Sequence, residues 1–540
     1  MAPLKLLVLL PLIFLSAIPG EQHKVRLMLR LDSSANDKAL PHFQKGLLLL
    51  HNFEYVDAAE EFIAAQKEDP DFVMAYWGEA MTYDHPVWGD LDIEKSRQAL
   101  AKIDASNASR EDRAKTELER DFIKAVNILF GSGSKPDREK AYSEFMGTLA
   151  EKYDGNNEVS AFYALSLFPL KSGWSEWEDH NVKAAEIASK ILDTDPNHPG
   201  ALHYLVHAND HPDHANASLK AADKYAEVAS YAGHALHMPS HIYLALGMWD
   251  DVVRSNEVAW KASVDRKNAK RLSNDELSYH THLWLMYGYL QQGRYDRAKE
   301  VLQEQIRLTK ELPSADARVH LIRMKAHYLF ETGRFDASEA NPDVNSNDLE
   351  HFADFVNRLS KGYKAFGMKK SDELKKIISD FETELEKATA LKKTSDNIPI
   401  CGVTSSVRKS ASAFEIRLGN LLVLELKAMH AWLKSDFVNA EKYLKEALPK
   451  PGSVVIGPPA AIIPANELYG NLLLSLNRFD EAGEQFSLAR HASPNRLLTL
   501  KGNYNAAKKA GDEKQQGEFR TQIEKNLHSA DVLVKKAVYK

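Results

Sequence analysis

The stretch Gly46-Leu-Leu-Leu-Leu-His51-Asn-Phe-Glu-Tyr55-Val-Asp-Ala58-Ala-Glu-Glu-Phe62-Ile-Ala-Ala65-Gln-Lys-Glu-Asp-Pro70 decides the fold. Gly46, Ala58, Phe62, Ala65 and Pro70 are separated by 12, 4, 3 and 5 positions. Small residues let two helices approach closely, an aromatic ring fills the groove between them, and a proline closes the second helix. The same gaps recur near the other end of the chain in Gly470, Ala482, Phe486, Ala489 and Pro494, and Ala184, Ala188, Ile191 and Pro196 give a weaker copy. Short turns between helices are marked by Gly247-Met-Trp249, Gly293-Arg-Tyr295, Gly333-Arg-Phe335 and Ser435-Asp-Phe437.

This pattern resembles the tetratricopeptide helix pair. The resemblance implies an all-α chain: an α-solenoid of tetratricopeptide-like pairs, right-handed, with a concave inner surface, each pair burying its apolar face against its neighbours. Alternating β-branched runs bounded by turn residues are absent from the sequence. Loops rich in Gly, Pro, Asn and Ser at Gly131–Pro136, Asn341–Asn347, Asn397–Gly402 and Pro449–Pro459 punctuate the array. They divide it into N-terminal repeats over 21–130, central repeats over 137–340 and C-terminal repeats over 350–540. Residues 1–20 carry one lysine, an apolar run from Leu6 to Leu15 and then small residues, the pattern of a cleavable secretory leader. The expectation is therefore a secreted or extracytoplasmic protein without stable membrane insertion, because the run is too short to span comfortably.

A formal net charge of −7 offers no basic stripe for phosphates, so nucleic acid is not an expected partner. Cys401 is the sole cysteine, which leaves stability to packing and rules out an intrachain disulfide framework. The sequence has no phosphate-binding loop ending in Gly-Lys-Ser/Thr, no dinucleotide fingerprint, no His-Glu-x-x-His helix, no Gly-x-Ser-x-Gly elbow and no paired-cysteine zinc motif.

What remains is histidine. Eight of the 21 histidines fall in the 44 residues from His198 to His241. Neutral imidazole is a common ligand for transition metals, and residues four apart share one helix face. His203 with His207, and His237 with His241, have that spacing. The phase of the repeats puts both pairs on first helices of neighbouring repeats, where they can face each other across one gap. Pro239 falls where helix is expected, so His234-Ala-Leu-His-Met-Pro-Ser-His241 is read as a kinked helix whose freed carbonyls a His or Ser240 can satisfy. The expected metal set is His203, His207, His237 and His241, with His234 as a fifth ligand or a support, and with His85 and His282, the latter from the group His280-Thr-His282 one repeat later, as further candidates. Glu158 is a candidate carboxylate, His211 and His214 are read as loop residues, and His51 is read as an ordinary hydrogen-bonded histidine.

Ala75-Tyr-Trp-Gly-Glu-Ala-Met81, His198-Pro-Gly-Ala-Leu-His-Tyr204, His234-Ala-Leu-His-Met-Pro-Ser-His241 and Tyr287-Gly-Tyr-Leu-Gln-Gln-Gly293 resemble a family of bacterial and eukaryotic tetratricopeptide-repeat proteins. The similarity extends over most of the chain after the leader, and includes Pro464-Ala-Asn-Glu-Leu-Tyr-Gly470. It implies the solenoid and joins the histidine motifs into one signature, but it supplies no reaction. An all-imidazole set without thiolate suits copper, zinc, nickel or iron, and the affinity order favours copper over zinc or iron. The expectation is thus a secreted metal-binding solenoid, with copper-dependent oxidoreductase chemistry as one outcome. The alternative is a non-enzymatic scaffold whose concave groove binds a peptide, a protein or a small-molecule ligand.

Overall fold

The computed structural model describes residues 31, 33–170, 174–341, 343–390, 410–449 and 462–539, without side chains at 174–178. The leader, Cys401 and most of the Pro449–Pro459 loop lie outside the described residues. Helix follows helix from Ala39 to Ala537, and the one sheet among the described residues is a two-stranded antiparallel ribbon pairing Asp84 with Leu91 and His85 with Asp90.

The spaced small residues and aromatics do what their spacing implies. In the pair Ala39–His51 and Tyr55–Glu68, Phe62 is fully buried. Its ring is clasped between two glycines: a Cβ on Gly46 would lie 2.9 Å from it, and one on Gly78, in the next helix Val73–Met81, only 2.3 Å. Phe486 repeats the arrangement at the far end, with hypothetical Cβ contacts of 2.9 Å from Gly470 and 2.3 Å from Gly502. The array is therefore an α-solenoid of tetratricopeptide-like helix pairs. One apolar core runs from Leu31 to Ala245 and a second from Val253 to Ala506.

Superhelical curvature brings sequence-distant repeats together. The first pair meets the segment from Pro199 to Lys270: Arg266 grips Asp57 through two nitrogens at 3.1 and 2.6 Å, and Tyr225 donates to Asn52 Oδ1 at 2.8 Å. At the other end the chain folds back onto the central turns, where Trp249 Nε1 donates to the Asn495 carbonyl and the Asp531 amide to that of Gly293. Arg496 is buried there between Glu331, Glu467 and the Tyr287 hydroxyl. No helix among the described residues is long and apolar enough to cross a membrane.

Because the Phe62 ring leaves no room for a methyl group, Gly78→Ala is expected to lower stability by about 1–3 kcal/mol, the usual cost of overpacking a core. Thermal denaturation checks this, and an unchanged midpoint contradicts the clasp.

Candidate metal centre

The helix Pro199–Ala208 begins with Pro199 at its first position, where the missing N–H costs nothing, and with His198 Nδ1 accepting the Ala201 amide hydrogen. Its His203 and His207 are one turn apart on the face turned to the first repeat. Further along, the chain forms two short helices, Gly233–His237 and Pro239–Ala245, broken at Met238 because Pro239 cannot donate to the ladder. Ser240 Oγ donates to the His237 carbonyl at 2.6 Å, satisfying an acceptor that the break frees. His280 arrives from the helix Tyr279–Gln291.

These pieces assemble two groups of three imidazoles. One nitrogen each from His203, His207 and His234 lies within 4.8 Å of the others, and the same holds for His237, His241 and His280. His203, His207, His237 and His241 are buried, whereas His234 and His280 are partly exposed.

The hydrogen bonds decide which nitrogens are bare. His241 Nδ1 lies 2.7 Å from Asp210 Oδ2, and a carboxylate can only accept, so Nδ1 carries a proton and the neutral ring has its lone pair on Nε2. His237 Nδ1 lies 2.7 Å from Asn256 Oδ1, and the Asn256 amide nitrogen donates to the Val252 carbonyl, so Nδ1 again donates and Nε2 is bare. The two bare Nε2 atoms face each other at 3.1 Å. In the other group, His203 Nδ1 donates to the His51 carbonyl at 2.6 Å and leaves Nε2 bare, 3.2 Å from His234 Nε2. Two ligands about 2.0–2.1 Å from a tetrahedral ion are separated by about 3.3 Å, so both spacings suit shared ligation. Burial holds the His203 and His237 imidazoles down to about 3, with the neighbouring His241 adding to the effect, and drives His234 and His280 well below the ordinary range. All four are therefore neutral at physiological pH, the protonation state a metal requires.

A third buried group, His51, Glu158 and His198, is held together by a carboxylate between two imidazoles. His51 Nε2 is 2.8 Å from one carboxylate oxygen and His198 Nε2 is 3.3 Å from the other, while Tyr204 donates to His51 Nδ1 at 2.9 Å. Burial alone would raise the Glu158 carboxyl, but the two imidazoles hold it well below the usual carboxylate range. This group fixes His51, whose carbonyl orients His203. Gly200 is required here, since a Cβ would lie 2.4 Å from His51 Nδ1.

Phe53 forms the floor. Its ring lies 4.3 Å from that of His203 and 5.7 Å from those of His207 and His234. To put it there the backbone takes φ of +57°, at a turn position where Gly247, Gly293, Ser435 and Asn477 occur in other repeats. A bulky residue in that conformation is strained, and such strain is typically held at functional sites.

The structure thus brings His203, His207, His234, His237 and His241 together, in two adjoining groups. The ring centroids of His207 and His241 are 6.1 Å apart, so these two belong to different groups. His282 and His85 are not in either. His282 is two residues from His280 on one helix and so points the opposite way, stacking on Trp260 at 3.9 Å with Nδ1 against Gln305. His85 stacks on Tyr55 at 4.0 Å, with Nε2 against the Thr82 carbonyl. Glu158 supports the site through His51 and does not touch the six imidazoles in either group. Sequence reasoning missed His51, Phe53, Asp210 and Asn256. Of these, Phe53 carried a signal, because it fills a slot that is Gly in the turns at 247, 293 and 333.

No family model and no curated protein matches the chain. Among solved structures it is similar to the tetratricopeptide domain of P58(IPK), at 14% identity over 88% of this chain and 99% of that one with a TM-score of 0.21. It is also similar to yeast Tom70, at 12% identity, 89% and 99% coverage and a TM-score of 0.32. The human IFIT1 dimer with m7Gppp-AAAA gives 13% identity, 93% and 97% coverage and a TM-score of 0.34. At these identities and TM-scores the likeness bears on neither ligand nor chemistry.

Asp210→Asn can leave the Nδ1 contact of His241 in place but removes the negative charge behind it. Supports of this kind are worth about 10–100-fold in metal affinity. Chelator competition is expected to show a loss of that size, and unchanged affinity contradicts the role given to Asp210.

Proposed function

We propose that this chain is a transition-metal protein, with copper favoured over zinc or iron, in which helical repeats hold imidazole ligands in a largely buried site. The observation that carries this reading is the pair of bare His237 and His241 Nε2 atoms 3.1 Å apart, each with its Nδ1 proton committed elsewhere. Neutral lone pairs at that distance repel, and a cation between them turns the repulsion into ligation. The residues fit copper because the donors are all imidazole, without thiolate and without a directly ligating carboxylate. Bound copper would supply one-electron or oxygen chemistry, so the reading extends to a metal-dependent oxidoreductase, exported by the leader at residues 1–20. The chain's own part is to keep His203, His234, His237 and His280 neutral by burial, to fix tautomers through Asp210, Asn256 and the His51 carbonyl, and to exclude bulk water with Phe53 and Trp284.

A scaffold for a peptide or protein partner is also compatible with a tetratricopeptide-like array. Against making the histidines its groove contacts stands their burial: His203, His207, His237 and His241 are each at most 2% exposed.

The test is elemental analysis of the purified protein beside a His203→Ala/His237→Ala double variant, with circular dichroism confirming that both remain helical. Near-stoichiometric metal in the parent, lost in a folded variant, is expected. A parent that retains no copper, zinc or iron after reloading contradicts the reading.

A further inference from the structure

The two imidazole groups adjoin one another. Rings within a group have centroids 4.7 to 6.2 Å apart, as in His203 with His207 and His241 with His280. Between the groups, His207 faces His241 at 6.1 Å and His234 faces His237 at 6.3 Å, the same spacing. Adjoining sites of this kind are the arrangement in which one small ligand can touch two ions.

Charge points in the same direction. An imidazole ligand brings no charge of its own to a bound ion, and all six candidate ligands are imidazoles. Among the described residues, the carboxylates bonded to them are Asp210, on His241 Nδ1, and Glu54, on the His234 backbone amide at 3.1 Å. Two divalent ions would bring four positive charges into a buried space with two carboxylates at its edge, and buried charge is tolerated only when paired. The missing negative charge has to come from a bound anion.

The site also offers a donor for such an anion. Trp284 packs against His237, His241 and His280 at 5.0, 4.4 and 5.4 Å. Its Nε1–H is buried without a hydrogen-bond partner. His280 Nδ1 is likewise buried and unpartnered. Entry is on the side of His234 and His280, the partly exposed members of the two groups, with the Trp88 ring set edge-on against His234 at 5.7 Å.

We propose that His203, His207 and His234 together with His237, His241 and His280 form one two-ion centre that binds a small bridging anion, with Trp284 Nε1 donating to it. This rests on the metal reading above. The ligand class is a compact anion with a lone pair for each ion, of the size of hydroxide or azide.

The full-length protein is stripped with chelator, reloaded with copper(II) chloride and titrated with sodium azide. The expected result is two coppers per chain by mass spectrometry, with an electron paramagnetic resonance intensity well below that of two isolated copper(II) ions. An azide charge-transfer absorption should saturate at one azide per two coppers. Trp284→Phe should keep both coppers and weaken azide about tenfold, the loss of one hydrogen bond to a charged group. Two coppers with full, uncoupled intensity, or a single copper per chain, overturn the two-ion centre while leaving metal binding intact. No retained copper, with zinc and iron also not retained, overturns the metal reading itself. Unaltered azide affinity in Trp284→Phe removes the tryptophan from the anion site.

Discussion

Everything at the histidine cluster depends on how Asp210 and Asn256 hold the rings of His241 and His237. Each accepts a hydrogen bond from the Nδ1–H of its imidazole, so the two Nε2 atoms are turned toward one another at 3.1 Å. A core with no function for these rings would relieve that repulsion at little cost, by rotating one imidazole or by replacing it with an apolar residue of similar volume. Here the opposing lone pairs are reinforced from outside, and His203 is treated the same way by the His51 carbonyl. Burial lowers the His203 and His237 imidazoles, which works against the other escape, a proton taken up by those rings.

The repeat fold makes this affordable, because the ligands never share one loop. Curvature of the array carries the turn at His51–Tyr55 around to the helices at 199–208 and 233–245, more than 140 residues later. Asn52, Asp57 and Glu54 lock it there through Tyr225, Arg266 and the His234 amide. Each group therefore draws on neighbouring repeats, and its geometry is as stiff as the packing between them. Glu158 acts at one remove, holding His51 and His198 at the point where the first repeat meets the helix that carries His203 and His207.

Much of this was legible in the sequence, for definite reasons. Gly46, Phe62 and their copies near the C-terminus report close helix packing because only certain sizes fit there, and the His203/His207 spacing reports a shared helix face, whereas His237 and His241 sit on two short helices either side of Met238. Pro239 announced the break at Met238. Less legible were properties that depend on three-dimensional closure. His280 and His282 are equivalent in a spacing argument, and only the direction of the helix Tyr279–Gln291 relative to its neighbours puts His280 in the site and His282 on Trp260. Asp210 and Asn256 lie 31 and 19 residues from their histidines, at separations that no helical period predicts. His51 looked ordinary because its part is played by its carbonyl, which every residue has.

The central claim is that cations belong between these imidazoles, and anomalous diffraction from crystals of the metal-loaded protein tests it most directly. Data collected on either side of the copper, zinc and iron absorption edges are predicted to show two peaks, one among His203, His207 and His234 and one among His237, His241 and His280. Crystals of the loaded protein with no anomalous density at either group, or with density confined to surface histidines such as His491 and His528, would contradict it.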